Sequence, residues 1–343
     1  MTSLLEAQNI SRAFGSGALS QARVVAVDDV SLVIDEDRPS ITAIAGESGS
    51  GKTTLARLLL GVIRPTSGSI LYRGQSLLTL DRQTRKEFRR QVQAIFQDPY
   101  EAYNPVYKVD QALTTPVRKF GLARSRDEAQ RKIEDSLRMA GLRPEETLGR
   151  YPHQLSGGQR QRIMVARALL LNPRVILADE PVSMVDASLR ATILESLVKL
   201  KRELGISLIY ITHDLTTAYQ ISQSIYILYR GSVAEVGNVE KVIKNPQHPY
   251  TRLLVSSIPL PDPDIRWGGE GEIETKASTA LASAAPTHEV KGCKFASRCP
   301  FVMPECHRAP PPLYRTDEDR AVACYLHSAS PQVLGREMAE SLA

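Results

Sequence analysis

Gly46-Glu47-Ser48-Gly49-Ser50-Gly51-Lys52-Thr53 is the stretch that decides the fold of this 343-residue chain. It fits G-x-x-x-x-G-K-[ST], the pattern of a phosphate-binding loop. Upstream, Ile41-Thr42-Ala43-Ile44-Ala45 is a short apolar run with the character of a buried strand. Downstream, Thr54-Leu55-Ala56-Arg57-Leu58-Leu59-Leu60 predicts a helix. Strand, loop and helix are the context the pattern requires. The glycines let the backbone curl so that successive N–H groups face one anion, and the helix N-terminus adds partial positive charge. Lys52 can reach the β- and γ-phosphates, and the Thr53 hydroxyl can ligate Mg²⁺. A chance glycine-rich turn is the plainer reading; the flanking strand and helix count against it.

Composition sets outer bounds. A chain of this length suggests about two domains, and 42% hydrophobic residues suffice for a core. The formal net charge of +5 comes from 43 basic and 38 acidic residues with no polybasic block. That balance reads as an ordinary solvated surface rather than a nucleic-acid-binding one. No apolar run approaches the ~18 residues of a membrane span. Met1-Thr2-Ser3-Leu4-Leu5-Glu6 lacks the charged-then-apolar pattern of a secretory leader. The expectation is a cytosolic protein that docks on something in the membrane.

Two patches, Leu4–Ile10 and Val24–Ile34, have strand character and flank the turn-rich Phe14-Gly15-Ser16-Gly17. Phe14 is either a core or turn residue or an aromatic that stacks on a nucleotide base. Arg64-Pro65-Thr66-Ser67-Gly68-Ser69 breaks the helix after the phosphate loop. Ile70-Leu71-Tyr72 then predicts a strand, and Arg82–Arg90 an exposed helix. Val92-Gln93-Ala94-Ile95-Phe96 predicts another strand, ending at Gln97-Asp98-Pro99. A glutamine there can reach a Mg²⁺ ion or an attacking water. Residues 108–150 read as helical and charged, and they interrupt the α/β alternation as an inserted helical subdomain would.

Leu155-Ser156-Gly157-Gly158-Gln159 precedes an apolar-periodic helix over Arg160–Leu171. Ser156 and Gln159 have capping-box spacing. The two glycines leave backbone N–H groups open to an anion, although a simple cap explains the same residues. Arg174-Val175-Ile176-Leu177-Ala178-Asp179-Glu180 reads as a buried parallel strand ending in two carboxylates. Asp179 suits Mg²⁺ coordination and Glu180 suits orienting or deprotonating a water. Ile206-Ser207-Leu208-Ile209-Tyr210-Ile211-Thr212 reads as a further buried strand ending at His213-Asp214. A lone histidine is usually structural, but a strand-end one is placed to contact a γ-phosphate.

With these residues in order, the chain over about residues 4–260 resembles an ABC transporter ATP-binding cassette. The resemblance rests on the phosphate loop, Gln97, LSGGQ, Asp179-Glu180, Asp186 and His213. It implies that Lys52, Thr53, Gln97, Asp179, Glu180 and His213 form one half-site, with Thr53, Gln97 and Asp179 toward Mg²⁺. It also implies that Gly46 to Thr54 and Asp186 bind ATP. Ser156, Gly157, Gly158 and Gln159 would serve ATP on a partner cassette, and Phe14 matches the base-stacking aromatic. A narrower resemblance, to the oligopeptide/dipeptide importer branch, rests on four stretches. They are Tyr151-Pro152-His153-Gln154, Phe96-Gln97-Asp98-Pro99-Tyr100, Asn245-Pro246-Gln247-His248-Pro249-Tyr250-Thr251, and the tail from Gly292-Cys293 through Arg298-Cys299-Pro300 to Ala323-Cys324. It implies an ATPase that powers uptake of oligopeptides or related small solutes. The implied partners are a second cassette, two membrane permease subunits and, indirectly, an external solute-binding protein. The implied place is peripheral, on the cytoplasmic face of the cell or inner membrane. Two departures stand out. Ser183-Met184-Val185-Asp186 replaces the usual Ser-Ala-Leu-Asp, a variant that points toward oligosaccharide-importing members. Glu101-Ala102-Tyr103 stands where the branch more often has Ala-Ser-Leu. A soluble non-transport ABC ATPase is the alternative of another class, but residues 60–150 lack the long heptad insertion of the repair and chromosome-structure members.

After Pro259 the character changes. Residues 261–290 read as a linker. Residues 291–343 hold a small proline-rich module and tail with all four cysteines, Cys293, Cys299, Cys306 and Cys324. Disulfides fit poorly with a reducing cytosol. Zinc sites prefer tighter pairs than the C-x₅-C-x₆-C-x₁₇-C found here. Four inert thiols in a small core are the plainest reading, and a [4Fe–4S] cluster needs four thiolates from such a loop-rich segment. The importer branch also implies a cluster here. The expected fold is therefore an α/β phosphate-loop cassette with a mixed sheet over residues 1–260, a helical subdomain at about 98–165, and a C-terminal cysteine module.

Overall fold

The computed structural model describes residues 3–15, 24–97, 103–183, 185–258 and 291–343. The linker expected over 261–290, the turn residues Ser16 and Gly17, the segment from Asp98 to Ala102, and Met184 lie outside the described residues. In chain order the strands are β1 (Ser3–Phe14), β2 (Val24–Asp35), β3 (Ile41–Ala45), β4 (Ser67–Tyr72), β5 (Gln75–Ser76), β6 (Val92–Ile95), β7 (Val175–Asp179), β8 (Ser207–Thr212), β9 (Ser224–Tyr229), β10 (Ser232–Asn238), β11 (Tyr314–Asp317) and β12 (Arg320–Val322). The helices are α1 (Lys52–Leu59), α2 (Arg82–Gln91), α3 (Asp110–Phe120), α4 (Arg126–Met139), α5 (Pro144–Thr147), α6 (Gly157–Leu169), α7 (Ala187–Leu204), α8 (Leu215–Ile221), α9 (Val239–Lys244), α10 (Pro249–Ser256) and α11 (Gly335–Leu342). The chain folds as two compact units, each assembled from three stretches of sequence.

The first unit takes residues 1–4, 34–42 and 72–211. Its strands β6, β7 and β8 run parallel, with Val92 beside Val175 and Asp179 beside Ile211. Every residue of β7 and β8 is buried. That burial on both faces is why their sequences are continuous apolar runs rather than alternating ones. The helical block expected over 108–150 is present as α3, α4 and α5. Leu113, Ile133 and Leu137 are buried there, as is Ile163 of α6. Helix α4 starts at Ser125, whose hydroxyl accepts from the Glu128 N–H at 3.1 Å. Its outer face carries Glu128–Lys132 and Glu134–Arg138 pairs at helical spacing. Gly121, with φ of 65°, ends α3 in the left-handed conformation.

The second unit takes residues 5–33, 43–71 and 212–343. Strands β2, β1 and β4 lie side by side in that order. β1 runs on to Phe14, further than the apolar patch Leu4–Ile10 suggests, because its second half is polar and only partly buried. Strands β9 and β10 form an antiparallel hairpin. Its turn, Arg230-Gly231, has positive φ at both residues, the conformation whose twist suits a two-residue connection. The cysteine-bearing tail does more than append a module. Its strand β12 pairs antiparallel with β10, Glu235 beside Val322 and Gly237 beside Arg320, and β11 pairs with β12. Gly237 allows the approach, since a Cβ there would lie 2.7 Å from the Asp319 carbonyl oxygen. Strands of three and four residues carry too little periodicity to be seen in sequence.

Buried polar groups lock this tail in place. Arg320 is buried and donates to the Asp317 carboxylate and to the carbonyls of Lys241 and Asn245, at 2.7, 3.2 and 2.8 Å. Glu235 is fully buried and accepts from the N–H groups of Gln247 and His248. Burial pushes the His248 imidazole down to about 3, so it is neutral. Its Nδ1 is thereby free to accept the Tyr250 N–H at 2.9 Å, which starts α10. Replacing Arg320 with methionine strands the Asp317 carboxylate and the Asn245 carbonyl. Arg320→Met should lower the unfolding free energy in urea by about 3 kcal/mol and speed proteolysis within residues 291–343. Unchanged stability would show that the fork contributes nothing.

Candidate functional site

The sequence-predicted residues fall into two sets, one in each unit. Phe14, Gly46 to Thr54 and His213 belong to the second unit, and Gln97, Ser156 to Gln159, Asp179, Glu180 and Asp186 to the first.

In the second unit, fully buried β3 residues lead into the phosphate loop, and α1 starts at Lys52. The loop is seated against backbone. A Cβ at Gly51, which has φ of 101°, would run into the Ala26 carbonyl oxygen, and one at Gly46 into that of Leu228. Gly231 donates its N–H to the Ser50 carbonyl at 2.9 Å and accepts from the Asp28 N–H at 2.9 Å. Lys52 is buried, and its ammonium donates to the carbonyls of Gly46 and Glu47 at 2.7 and 2.9 Å. The Ser50 hydroxyl is buried without a hydrogen-bond partner, an orphan in the floor of the loop. Thr53 is exposed in the first turn of α1. Phe14 is 41% exposed at the end of β1, under the guanidinium of Arg12. That exposure favours a stacking surface over a core residue. His213 is exposed just after β8, beside Asp214, whose carboxylate caps α8.

Three groups that the sequence reading did not assign hold the loop. The Tyr250 hydroxyl accepts the Glu47 N–H at 2.9 Å. Arg298 forks onto the Glu47 carboxylate at 2.9 and 3.0 Å. Lys294 pairs with Asp28 and donates to the Arg230 carbonyl. The first two sit in motifs the sequence already offered, His248-Pro249-Tyr250 and Arg298-Cys299-Pro300, but nothing local ties either to the loop.

In the first unit, Asp179 is buried at the end of β7. Glu180 follows with φ of 46°, a left-handed conformation that costs a non-glycine residue energy and is held by its surroundings. Its N–H donates to the Ile211 carbonyl, and its own carbonyl accepts from the Ser183 N–H and hydroxyl. The expected capping box is realised. The Ser156 hydroxyl accepts the Gln159 N–H at 3.2 Å, and the Gln159 side chain accepts the Ser156 N–H at 2.9 Å. Gly158 is buried, with room for a Cβ only 3.2 Å from Leu189, just beyond the exposed Asp186 that precedes α7. Gln97 is exposed after β6, and the Phe96 carbonyl beside it accepts from Gln161 of α6.

Two family models match. The ABC transporter family matches residues 27–183, and the oligopeptide/dipeptide transporter C-terminal region matches residues 234–306. The oligopeptide transport ATP-binding protein OppF of Escherichia coli is 38% identical over 84% of this chain and 84% of its own length. The dipeptide transport ATP-binding protein DppF of the same organism is 39% identical over 90% of this chain and 89% of its own. The chain belongs to the oligopeptide/dipeptide branch of the ABC transporter ATP-binding family. Among solved structures, a dimeric ATP-binding cassette in a post-hydrolysis state with ADP and Pi matches at TM-score 0.61. It is 29% identical, over 68% of this chain and 98% of that one. The chain is thus an ABC-type ATPase that uses ATP and Mg²⁺.

No disulfide joins the four cysteines. They line one small cavity of about 10 Å³ together with Phe295 and Phe301. Burial raises the thiols of Cys293 and Cys299 and pushes Cys324 up to about 11, and neighbouring cysteines add to the effect. Among the described residues, no three His, Cys, Asp or Glu side chains close on a single metal ion.

The seating of the loop gives a graded test. Gly51→Ala forces a Cβ into the Ala26 carbonyl, whereas Gly49→Ala meets open space and only backbone strain. Gly51→Ala should weaken binding of a fluorescent ATP analogue by more than about ten-fold, equivalent to ~1.4 kcal/mol, and Gly49→Ala by less. Equal losses would show that close approach does not matter here.

Proposed function

We propose that this chain hydrolyses ATP to drive uptake of oligopeptides or dipeptides through a membrane permease. The observation that carries the reading is the coexistence, in one chain, of the ABC match and the oligopeptide/dipeptide C-terminal match. The relatives' names support peptide over oligosaccharide as the solute class, and they support transport over a non-transport ATPase. The same reading divides the chain into a cassette over residues 1–260, with a helical subdomain at about 98–165, a linker over 261–290 and a cysteine module and tail over 291–343.

Roles follow from motif position and chemistry. Gly46 to Thr54 cradle the triphosphate, with Lys52 supplying the positive charge and Phe14 a base platform. Thr53, Gln97 and Asp179 serve Mg²⁺. Glu180 directs the attacking water and His213 meets the γ-phosphate. Asp186 adds a further ATP contact, and Ser156, Gly157, Gly158 and Gln159 act on ATP held by a second cassette, a reading supported by the dimeric neighbour. Two permease subunits and an external solute-binding protein complete the assembly at the cytoplasmic face of the membrane. Among the described residues no helix is long and apolar enough to cross a bilayer, which is compatible with a peripheral place.

Glu180→Gln separates these roles. It should leave ATP binding intact and cut turnover by about 10²–10⁴-fold, the loss typical of a positioned general base, while Lys52→Ala weakens binding itself. Turnover above about a tenth of wild type in Glu180→Gln would remove Glu180 from the water-directing role.

We further propose that Cys293, Cys299, Cys306 and Cys324 hold a [4Fe–4S] cluster with a structural role. Four thiols facing one cavity supply the donor set. In a cluster each iron takes one cysteine, so the sulfurs need not converge on a single ion. At about 10 Å³ the cavity is small, so the thiol shell would spread on loading. Thiolate ligation would also offset the burial that disfavours ionised cysteines here. Anaerobically purified protein should be brown, absorb broadly at about 400 nm and carry about four irons per chain. Colourless protein with four titratable thiols would refute the cluster.

A further inference from the structure

We infer that Arg298, in the cysteine-bearing tail, is a positioning residue for ATP binding: it holds the phosphate loop and neutralises Glu47, the loop's own carboxylate. The motif does not explain this arginine, because Lys52 already supplies the loop's cation. What calls for it is the residue at the second loop position. A free carboxylate there repels a polyanionic triphosphate. Arg298 meets it with both terminal nitrogens, one on each carboxylate oxygen, at 2.9 and 3.0 Å. This parallel fork is the strongest form of a guanidinium–carboxylate pair, and lysine cannot reproduce it.

The surroundings fix the fork. The Arg298 side chain is 14% exposed and that of Glu47 37%. The guanidinium carbon lies 5.6 Å from the Phe295 ring centroid and 5.8 Å from that of Tyr229. These rings pack on Tyr250, whose hydroxyl accepts the Glu47 N–H. The Glu47 carbonyl in turn accepts from Lys52 and from the Ser50 N–H. Every polar group of Glu47 is therefore engaged, two of them by residues more than two hundred positions away. Lys294 grips the other side. It donates to the Arg230 carbonyl and the Ser232 hydroxyl and pairs with Asp28, at the turn whose Gly231 N–H donates to Ser50. One short stretch of tail, Lys294 to Arg298, thus braces the loop at Glu47 and behind Ser50.

This inference rests on the reading that the loop binds ATP, and titration of the full-length chain with a fluorescent ATP analogue and Mg²⁺ separates the two. Arg298→Ala should raise the Kd roughly ten-fold, the scale of leaving one member of a partly buried pair uncompensated. Arg298→Lys should fall between. The Arg298→Ala/Glu47→Gln double variant should bind the analogue more tightly than Arg298→Ala, because the repelling charge is gone. Added salt should narrow the Arg298→Ala defect. In steady-state turnover the defect should appear in KM with kcat retained. An unchanged Kd in Arg298→Ala would overturn the inference, and so would a double variant as weak as the single, which would reduce Arg298 to a fold element. If Arg298→Ala fails to fold, Arg298→Lys decides the matter by the same criterion of an unchanged Kd. A wild-type chain that does not bind the analogue would overturn the ATP reading together with the inference.

Discussion

The phosphate loop depends on a backbone approach that leaves no room for side chains. The Ala26 carbonyl lies where a Cβ of Gly51 or of Gly231 would be, and Gly231 in turn bonds Ser50 and Asp28 through its own backbone. Strand β2, the loop and the β9–β10 turn are drawn together at that point by peptide groups. Peptide groups are rigid and cannot adopt alternative rotamers, so the anion-facing N–H groups have a fixed floor. The tail adds a second layer of support, in which charged and aromatic side chains hold what the peptide contacts have shaped.

Much of this was legible locally. The apolar runs at 175–179 and 207–212 announced strands buried on both faces. Ser156 and Gln159 announced a cap that is formed with both of its hydrogen bonds. The charged stretch over 108–150 announced helices, and α3, α4 and α5 lie there. What escaped was pairing across sequence distance. Nothing near Arg298 specifies Glu47, and nothing near Arg320 to Val322 specifies β10. Hydrogen-bond partners in a sheet edge are generic peptide groups, so a three-residue strand carries almost no address of its own. The four cysteines show the same limit. Their crowding in the chain was visible, but only folding shows that they face one cavity.

The ionisable groups of the second unit are accommodated in different ways. Glu235 is held by peptide N–H groups, and burial still pushes its carboxyl up. His248 stays neutral and serves as an acceptor. Arg298, a guanidinium that is always charged, is answered by the Glu47 carboxylate at bonding distance. The Lys52 ammonium is in turn held by the carbonyls of Gly46 and Glu47.

The position of β12 bears on how the molecule is made. Among the described residues, strand β10 has β9 on one side and Arg320 to Val322 of β12 on the other. During synthesis β10 emerges long before that cover. Until it arrives, the nascent chain presents a bare strand edge of unpaired N–H and C=O groups, a template for joining any other extended segment. Closing of the sheet edge and seating of the tail against the phosphate loop belong to the same late step. A chain released early by the ribosome would keep its nucleotide motif in sequence yet carry an adhesive edge and an unbraced loop.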